Sequence, residues 1–301
     1  MAGLMRRVAT LIVGLAATST SSALDVFACE PEWGSLMQEL AGDKAEITVA
    51  TTAFQDPHRL QARPSLIAAA RRADLIVCTG ADLEVGWLPL LLRRAGNAKI
   101  QAGNPGNFVA AEYVRRIEIP ATIDRAQGDI HPQGNPHIHL NPRNIERVAD
   151  ALTKRLQTID PANSADYQSQ LDDFQERWSD ATGDWEERAI SLEGMRLASH
   201  HRSFSYMAAW LGLDIVATLE PKPGIPASGA QLAALLEQLT PNPPAGVIRT
   251  PYENEKPSQW LSARIDIAEI VLPFTIGGTP DSVDLFSLYD ETIRMLEEHN
   301  R

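Results

Sequence analysis

Apolar positions along this chain follow two rhythms. Short runs rich in Val, Ile and Ala, "DVFAC" (25–29), "AEITVATT" (45–52) and "DLIVCTG" (74–80), read as strands. Between and after them, "PEWGSLMQELAG", "PSLIAAARRA" (64–73) and "LEVGWLPLLLRRAG" (83–96) carry apolar residues at helical spacing. "AKIQAG" is expected to add one more short strand. Residues 102–136 are rich in Gly, Pro and Asn without a period, and read as loop with one short extended piece. Asn141 and Pro142 then supply an N-cap and a first helical position, and Ile145, Val148, Leu152 and Leu156 follow at helical spacing.

The most regular stripe lies at about 164–190. Tyr167, Leu171, Phe174, Trp178, Ala181 and Trp185 recur every three or four residues, which predicts a helix of about seven turns, with Gly183 as its weak point. A helix of that length in mid-chain can join two lobes. Strand-like runs then resume at "MRLAS" (195–199), "LDIVATLE" (213–220), "AGVIRT" (245–250) and "AEIVLPF" (268–274), with helices between and after them. The expected fold is therefore α/β: two similar lobes, each a mostly parallel sheet flanked by helices, joined by one long rigid helix. The expected boundaries are 24–160, 161–192 and 193–301, after a signal peptide at 1–23.

The signal reading rests on "MAGLMRR", the short apolar run "VATLIVGLAA" and small residues up to Ala23. The run is too short for a permanent membrane anchor, which takes about 20 residues. A periplasmic location follows as an expectation. Removing residues 1–23, which hold Arg6 and Arg7 and no acid, takes the formal charge from −12 to −14. No basic patch stands out, so nucleic acid is not an expected partner. Cys29 and Cys78 each end a predicted strand. They can pair as a disulfide, since strands one and three of such sheets are commonly neighbours and an oxidising compartment favours it. Two buried thiols are the alternative.

Candidate chemistry collects where strands end, the place where open α/β sheets bind ligands. His58 follows the second strand in "AFQDPH"; His137 and His139 precede the helix at Asn141; His200 and His201 follow "MRLAS"; Asp281 and Asp284 follow the last strand. Three imidazoles and a carboxylate suit tetrahedral Zn²⁺. Of His200 and His201 only one can face a cleft, because neighbours in extended chain point opposite ways. His131 lies in the irregular stretch, where a merely solvated role is equally open, and His299 reads as an ordinary surface residue.

These pieces resemble a known family, the zinc-binding substrate-binding proteins of ABC importers (cluster A-I). "FQDPHRLQARPSLIAAARRADLIVCTGADLE" resembles its first Pro-His segment, "NPHIHLNP" its second, "ASHHRSFSYMAAWLGL" its third histidine and "LEPKPGIPASGAQLAALL" its Pro-rich loop. The resemblance covers essentially the whole mature chain. It implies a metal set of His58, His137, His201 and a fourth ligand, with Asp281 the first choice, Asp284 the second and a water the third. It implies a supporting role for His139 and metal capture for His131. It implies a structural role for Glu84 in "GADLE", and a monomeric carrier that hands Zn²⁺ to a membrane permease. The family's closing Asp-Pro-Leu-Gly is here "LPFTIGG", and its His-rich loop is cut to "DRAQGDIHPQG". Both features resemble the AztC-type branch, which works with a small metallochaperone. Other readings are a manganese or iron carrier of the same architecture and a zinc hydrolase. The hydrolase lacks an evident general base and any HExxH motif.

Overall fold

The computed structural model describes residues 23–121 and 131–300. The expected signal segment, apart from Ala23, and most of "DRAQGDIHPQG" lie outside these residues. No helix among the described residues is long and apolar enough to cross a membrane.

Two four-stranded parallel sheets organise the chain. In the first, β1 (Leu24–Ala28), β2 (Ala45–Val49), β3 (Leu75–Cys78) and β4 (Asn107–Val109) stand in the order β2-β1-β3-β4. In the second, β5 (Arg196–Ser199), β6 (Asp214–Thr218), β7 (Gly246–Arg249) and β8 (Ala268–Val271) stand in the order β6-β5-β7-β8. The two orders are the same when counted from the first strand of each sheet. Both put the chain's reversal beside the first strand, where a crevice forms outside the strand ends.

Helices α1 (Pro31–Ala41), α2 (Pro64–Arg72), α3 (Leu88–Ala95) and α4 (Pro142–Ile159) serve the first lobe. Helices α6 (Ser205–Leu211), α7 (Gly229–Leu239) and α8 (Glu255–Ile265) serve the second. Each of α1 to α4 carries Pro in its first turn, where the missing N–H costs nothing. The connector α5 (Ser164–Ala189) is 26 residues long and packs on α1, α4 and the C-terminal helix α9 (Leu285–His299). Its stripe is buried as the spacing predicts: Tyr167, Leu171, Phe174, Trp178 and Trp185 join a core that includes residues of both lobes. Burying each such side chain contributes about 1.5–3 kcal/mol. The indole N–H groups of Trp178 and Trp185 find Pro142 O at 3.0 Å and Asp290 Oδ1 at 2.7 Å. A connector packed along its length on both lobes resists hinge bending.

One predicted strand is absent. "AKIQAG" instead opens with a 3₁₀ turn at Ala98–Ile100. The Asn97 side chain caps Lys99 N and donates to Ala70 O and Ala73 O, which closes the segment on α2. The edge strand β4 forms further on, in the stretch read as loop with one short extended piece. Gly106 permits it, since a Cβ there would stand 2.4 Å from Asp74 O and 2.6 Å from Lys99 O.

Cys29 and Cys78, at the ends of neighbouring β1 and β3, form a disulfide across Cα atoms 4.8 Å apart. After β3 the chain turns through three successive residues with positive φ, Gly80, Ala81 and Asp82. Gly80 is required there, because a Cβ would meet Val109 Cγ1 at 2.2 Å. The Glu84 carboxylate holds this turn by accepting from Thr79 N at 2.7 Å and Gly80 N at 3.0 Å.

Candidate metal centre

Four imidazoles converge between the lobes. His58 stands in a 3₁₀ turn (Pro57–Arg59) after β2. Asp56 caps that turn, accepting from His58 N at 3.0 Å and lying 2.7 Å from His58 Nδ1. Trp87 Nε1 donates to Pro57 O at 2.8 Å, and Gly86 lets the 81–87 turn approach His58 O. The left-handed turn pinned by Glu84 therefore buttresses the segment that carries His58.

His137 is aimed by Asn135. The Asn135 side chain accepts from His137 N at 2.9 Å and donates to Glu118 Oε2 at 2.8 Å and Arg202 O at 2.9 Å, while Tyr206 Oη donates to Asn135 O at 2.9 Å. These bonds tie "NPHIH" to the loop after β5, which carries His201. His201 Nδ1 lies 2.7 Å from Glu220 Oε2, and that carboxylate also accepts from Gly224 N. His131 completes the group, its Nε2 at 3.1 Å from His58 Nε2.

Ring centroids are 5.1 Å apart for His58–His131, 5.8 Å for His58–His137, 5.9 Å for His137–His201, 6.3 Å for His58–His201 and 6.4 Å for His131–His137. Zn–N bonds of 2.0–2.1 Å in a tetrahedron would put imidazole centroids roughly 5 Å apart. The rings thus stand at or slightly outside the separation that one ion would set.

The electrostatics prepare the rings for a cation. Asp56 and Glu220 face Nδ1 of His58 and His201, which turns the Nε2 of each ring toward the cluster. Burial would lower the basicity of His201, but Glu220 outweighs it and holds its pKa above the ordinary range. Burial would likewise raise Asp56, yet its bonds to His58 hold it low and ionised. His137 is 1 % exposed, and neither of its ring nitrogens has a hydrogen-bond partner. Burial, followed by the neighbouring histidines, pushes its pKa well below the ordinary value, so it is neutral. A buried imidazole with both nitrogens unsatisfied is costly unless a ligand completes it.

The remaining candidates fall elsewhere. His139 lies behind the cluster: Nε2 sits 2.8 Å from Phe274 O, and Nδ1 faces Glu32 Oε1 at 3.1 Å without the alignment of a hydrogen bond. The Phe274 ring meets His137 and His139 edge-on. His200 points to a separate chamber beside His58 and His201. Asp281, the expected fourth ligand, is exposed in the turn before α9 and lines neither cavity at the cluster. Asp284 is also diverted, because it caps α9 and accepts from Ser287 N at 2.8 Å. "TPDSVD" builds a helix entrance rather than a ligand. Asp56 and Glu220, which orient two of the rings, were missed in the sequence; "DPH" and the Glu ending "ATLE" were the available signals.

A cavity of about 690 Å³ opens from the cluster, lined by His131, His137 and His201 with Glu118, Arg202 and Lys222 among others. A smaller chamber of about 220 Å³ lies beside His58 and His201 and is lined by Asp56, Glu220, Glu253 and His200. Burial pushes the Glu253 carboxyl up to about 7 against the bond from Thr250 N.

Comparison with known proteins places the chain in a family. Residues 26–299 match the family model ZnuA, "Zinc-uptake complex component A periplasmic". The metal ABC transporter substrate-binding lipoprotein ScbA of Streptococcus cristatus is 29 % identical over 60 % of this chain, and the match spans 59 % of that relative's length. The manganese ABC transporter substrate-binding lipoprotein PsaA of Streptococcus pneumoniae is 24 % identical over 87 % of this chain and 83 % of its own. A crystal structure of ZnuA superposes with a TM-score of 0.77 at 21 % identity, covering 93 % of this chain and all of that one. A Mn-bound periplasmic metal-binding protein from Candidatus Liberibacter asiaticus superposes with a TM-score of 0.72 at 16 % identity, covering 91 % of this chain and 98 % of its own.

Proposed function

The chain belongs to the ZnuA family of periplasmic metal-binding components of metal uptake systems, and within it we propose that this protein is a zinc carrier. It binds one Zn²⁺ tightly between its lobes through His58, His137, His201 and His131, then delivers it to an ABC permease. Supply by a small metallochaperone belongs to the same reading, as does a monomeric carrier exported through a cleaved signal peptide. The observation that carries the reading is His137, buried with both ring nitrogens unsatisfied among three other imidazoles.

The donor set argues for zinc over manganese. Imidazole suits Zn²⁺, whereas Mn²⁺ favours carboxylate and water oxygens. Four neutral imidazoles leave a dication uncompensated, and Asp56 and Glu220 supply two negative charges through the outer ring nitrogens. His131 takes the fourth position that Asp281 cannot serve from the α9 turn. The second reading, a manganese carrier, draws on relatives named for that metal. Titration of the metal-stripped protein with Zn²⁺ and Mn²⁺ separates them. The expected outcome is a tight zinc equivalent that Mn²⁺ does not displace and that His58→Ala and His201→Ala each weaken. Manganese binding as tight as zinc, or zinc binding indifferent to both substitutions, would sink the zinc reading.

A further inference from the structure

Two rings of the cluster are oriented by carboxylates, His58 by Asp56 and His201 by Glu220. His137 has no such partner on either nitrogen. Something else must fix its plane, because a ring free to turn about its side-chain torsions aims a lone pair at one point only part of the time. Among the described residues the His137 ring meets three histidines of the cluster and one other ring, Phe274. Phe274 stands 5.2 Å from it at an interplanar angle of 81°, an edge-on contact in the range that aromatic pairs favour.

Phe274 is itself held in place. It is 2 % exposed, and His139 and Tyr252 meet its ring edge-on at 4.9 and 5.6 Å. The segment "LPFTIGG" folds back on itself after β8. Gly278 N donates to Thr275 O at 3.0 Å, and a Cβ on Gly278 would stand 2.9 Å from Pro273 Cα. Two contacts then cross to the first lobe. Phe274 O lies 2.8 Å from His139 Nε2, and Thr275 Oγ1 donates to Glu32 Oε2 at 2.5 Å. The other oxygen of Glu32 faces His139 Nδ1 at 3.1 Å. Glu32 lies in the first turn of α1, where an acid can complement the helix dipole from the surface. Here it is 1 % exposed. Burying a carboxylate is unfavourable, and the dipole does not require it; reaching Thr275 and His139 does.

We propose that Phe274 is the positioning residue of His137, and that Glu32 sets it from across the lobe boundary through Thr275 and His139. The ring wall does for His137 what the carboxylates do for His58 and His201. It makes the aim of a first-lobe ligand depend on a second-lobe residue, so the ligand set is complete only while the lobes keep this contact. The inference rests on the zinc-carrier reading, since it takes His137 as a ligand, and its test separates the two.

The test is a double-mutant cycle on zinc affinity, measured on the metal-stripped protein by competition with a chelating dye. Phe274→Leu and Thr275→Val should each weaken zinc by about 5- to 20-fold. In a His137→Ala background each should cost less than about twofold, because the wall has no ring left to aim. Thr275→Ser, which restores the hydroxyl, should recover the affinity to within about threefold of the unmodified protein. Co²⁺ in place of zinc gives a second readout: its visible bands should shift in Phe274→Leu and Thr275→Val, and neither substitution should shift them further once His137 is Ala. Thr275→Val keeps the shape of the side chain, so it reports even if Phe274→Leu disturbs folding. Losses of the same size with and without His137, or no loss in either single variant, overturn the proposal. An unmodified protein without a tight zinc equivalent, or a His137→Ala variant that binds zinc as tightly as the unmodified one, would instead overturn the carrier reading.

Discussion

Two of the clusters of buried titratable groups among the described residues are built on opposite principles. At the strand ends of the first sheet, Glu30 and Glu84 are each 2 % exposed, and a Glu84 carboxylate oxygen lies within 4.8 Å of both sulfurs of the disulfide. Their bonds turn inward: Glu84 takes Thr79 N and Gly80 N, Glu30 takes Thr79 Oγ1, and Thr79 Oγ1 in turn accepts from Trp33 Nε1. Between the lobes, the outer nitrogens of His58 and His201 are pinned, but the inner faces and both nitrogens of His137 are left for something else. Both clusters have strongly shifted pKa values. Perturbed titration therefore does not separate a binding site from a structural network. Ring nitrogens of several residues turned to one space do, whereas the Glu30–Glu84 pair leaves a single oxygen, Glu30 Oε1, without a partner.

The sharpest test of that contrast is deletion on each side. His137→Ala should weaken zinc by at least about 100-fold, because it removes a ligand that costs little to desolvate further. Glu30→Gln should leave zinc affinity within about twofold. Equal effects, measured by competitive zinc titration, would erase the distinction. The next effect down is in the outer shell. Asp56→Asn and Glu220→Gln should each cost about 10- to 100-fold in zinc affinity, with one equivalent still bound tightly, because they loosen a ring and remove charge without removing a ligand. Loss smaller than threefold in both would mean that the rings are held by packing alone.

The same contrast explains what was legible in the sequence. Periodicity reports burial, so the two α/β lobes and the stripe Tyr167 to Trp185 could be read directly. The convergence of His58, His137 and His201 could be inferred, because strand ends point to one crevice whatever the loop details. Edge strand β4 could be expected only as one short extended piece without a position, since three residues carry no period and its pairing depends on the close approach at Gly106. Asp281 misled because proximity to the last strand does not say whether a turn serves a site or a helix entrance. Asp284 and Ser287 decide it by capping α9 in both directions. His131 could not be placed for a related reason: irregular chain gives no direction, and only its Nε2 contact with His58 brings it to the cluster.

The carboxyl cluster should reveal itself through pH instead. Burial raises Glu30 well above the ordinary range, with Glu84 and Glu32 adding to it, and burial raises Glu84 to about 7. The pair therefore holds at least one proton at neutral pH, and its titration belongs to both residues. For an acid whose folded pKa is raised, the stabilisation is complete below the unfolded value of about 4.3 and is lost as pH rises through the folded value. The metal-free protein should thus lose stability as pH rises from about 5 to beyond 7, by on the order of 1–3 kcal/mol from this pair. Glu30→Gln replaces the shared proton with an amide that can donate to Glu84 and accept from Thr79. Its urea-unfolding profile should be flatter than that of the unmodified protein across the same range. A parallel profile would assign the pH dependence to the histidines.

The smallest expected effect concerns the residue that the sequence offered first for the fourth position. Asp281→Ala removes an exposed carboxylate that touches neither cavity at the cluster. The α9 cap, Asp284 with Ser287, stays intact. Zinc affinity should change by less than about twofold and stability by no more than about 0.5 kcal/mol, as for surface positions generally. A tenfold loss of zinc affinity would mean that the turn before α9 swings into the cleft when metal binds. His131 would then give up the fourth position, and the contrast between a preorganised histidine cluster and a distant structural turn would fail at that point.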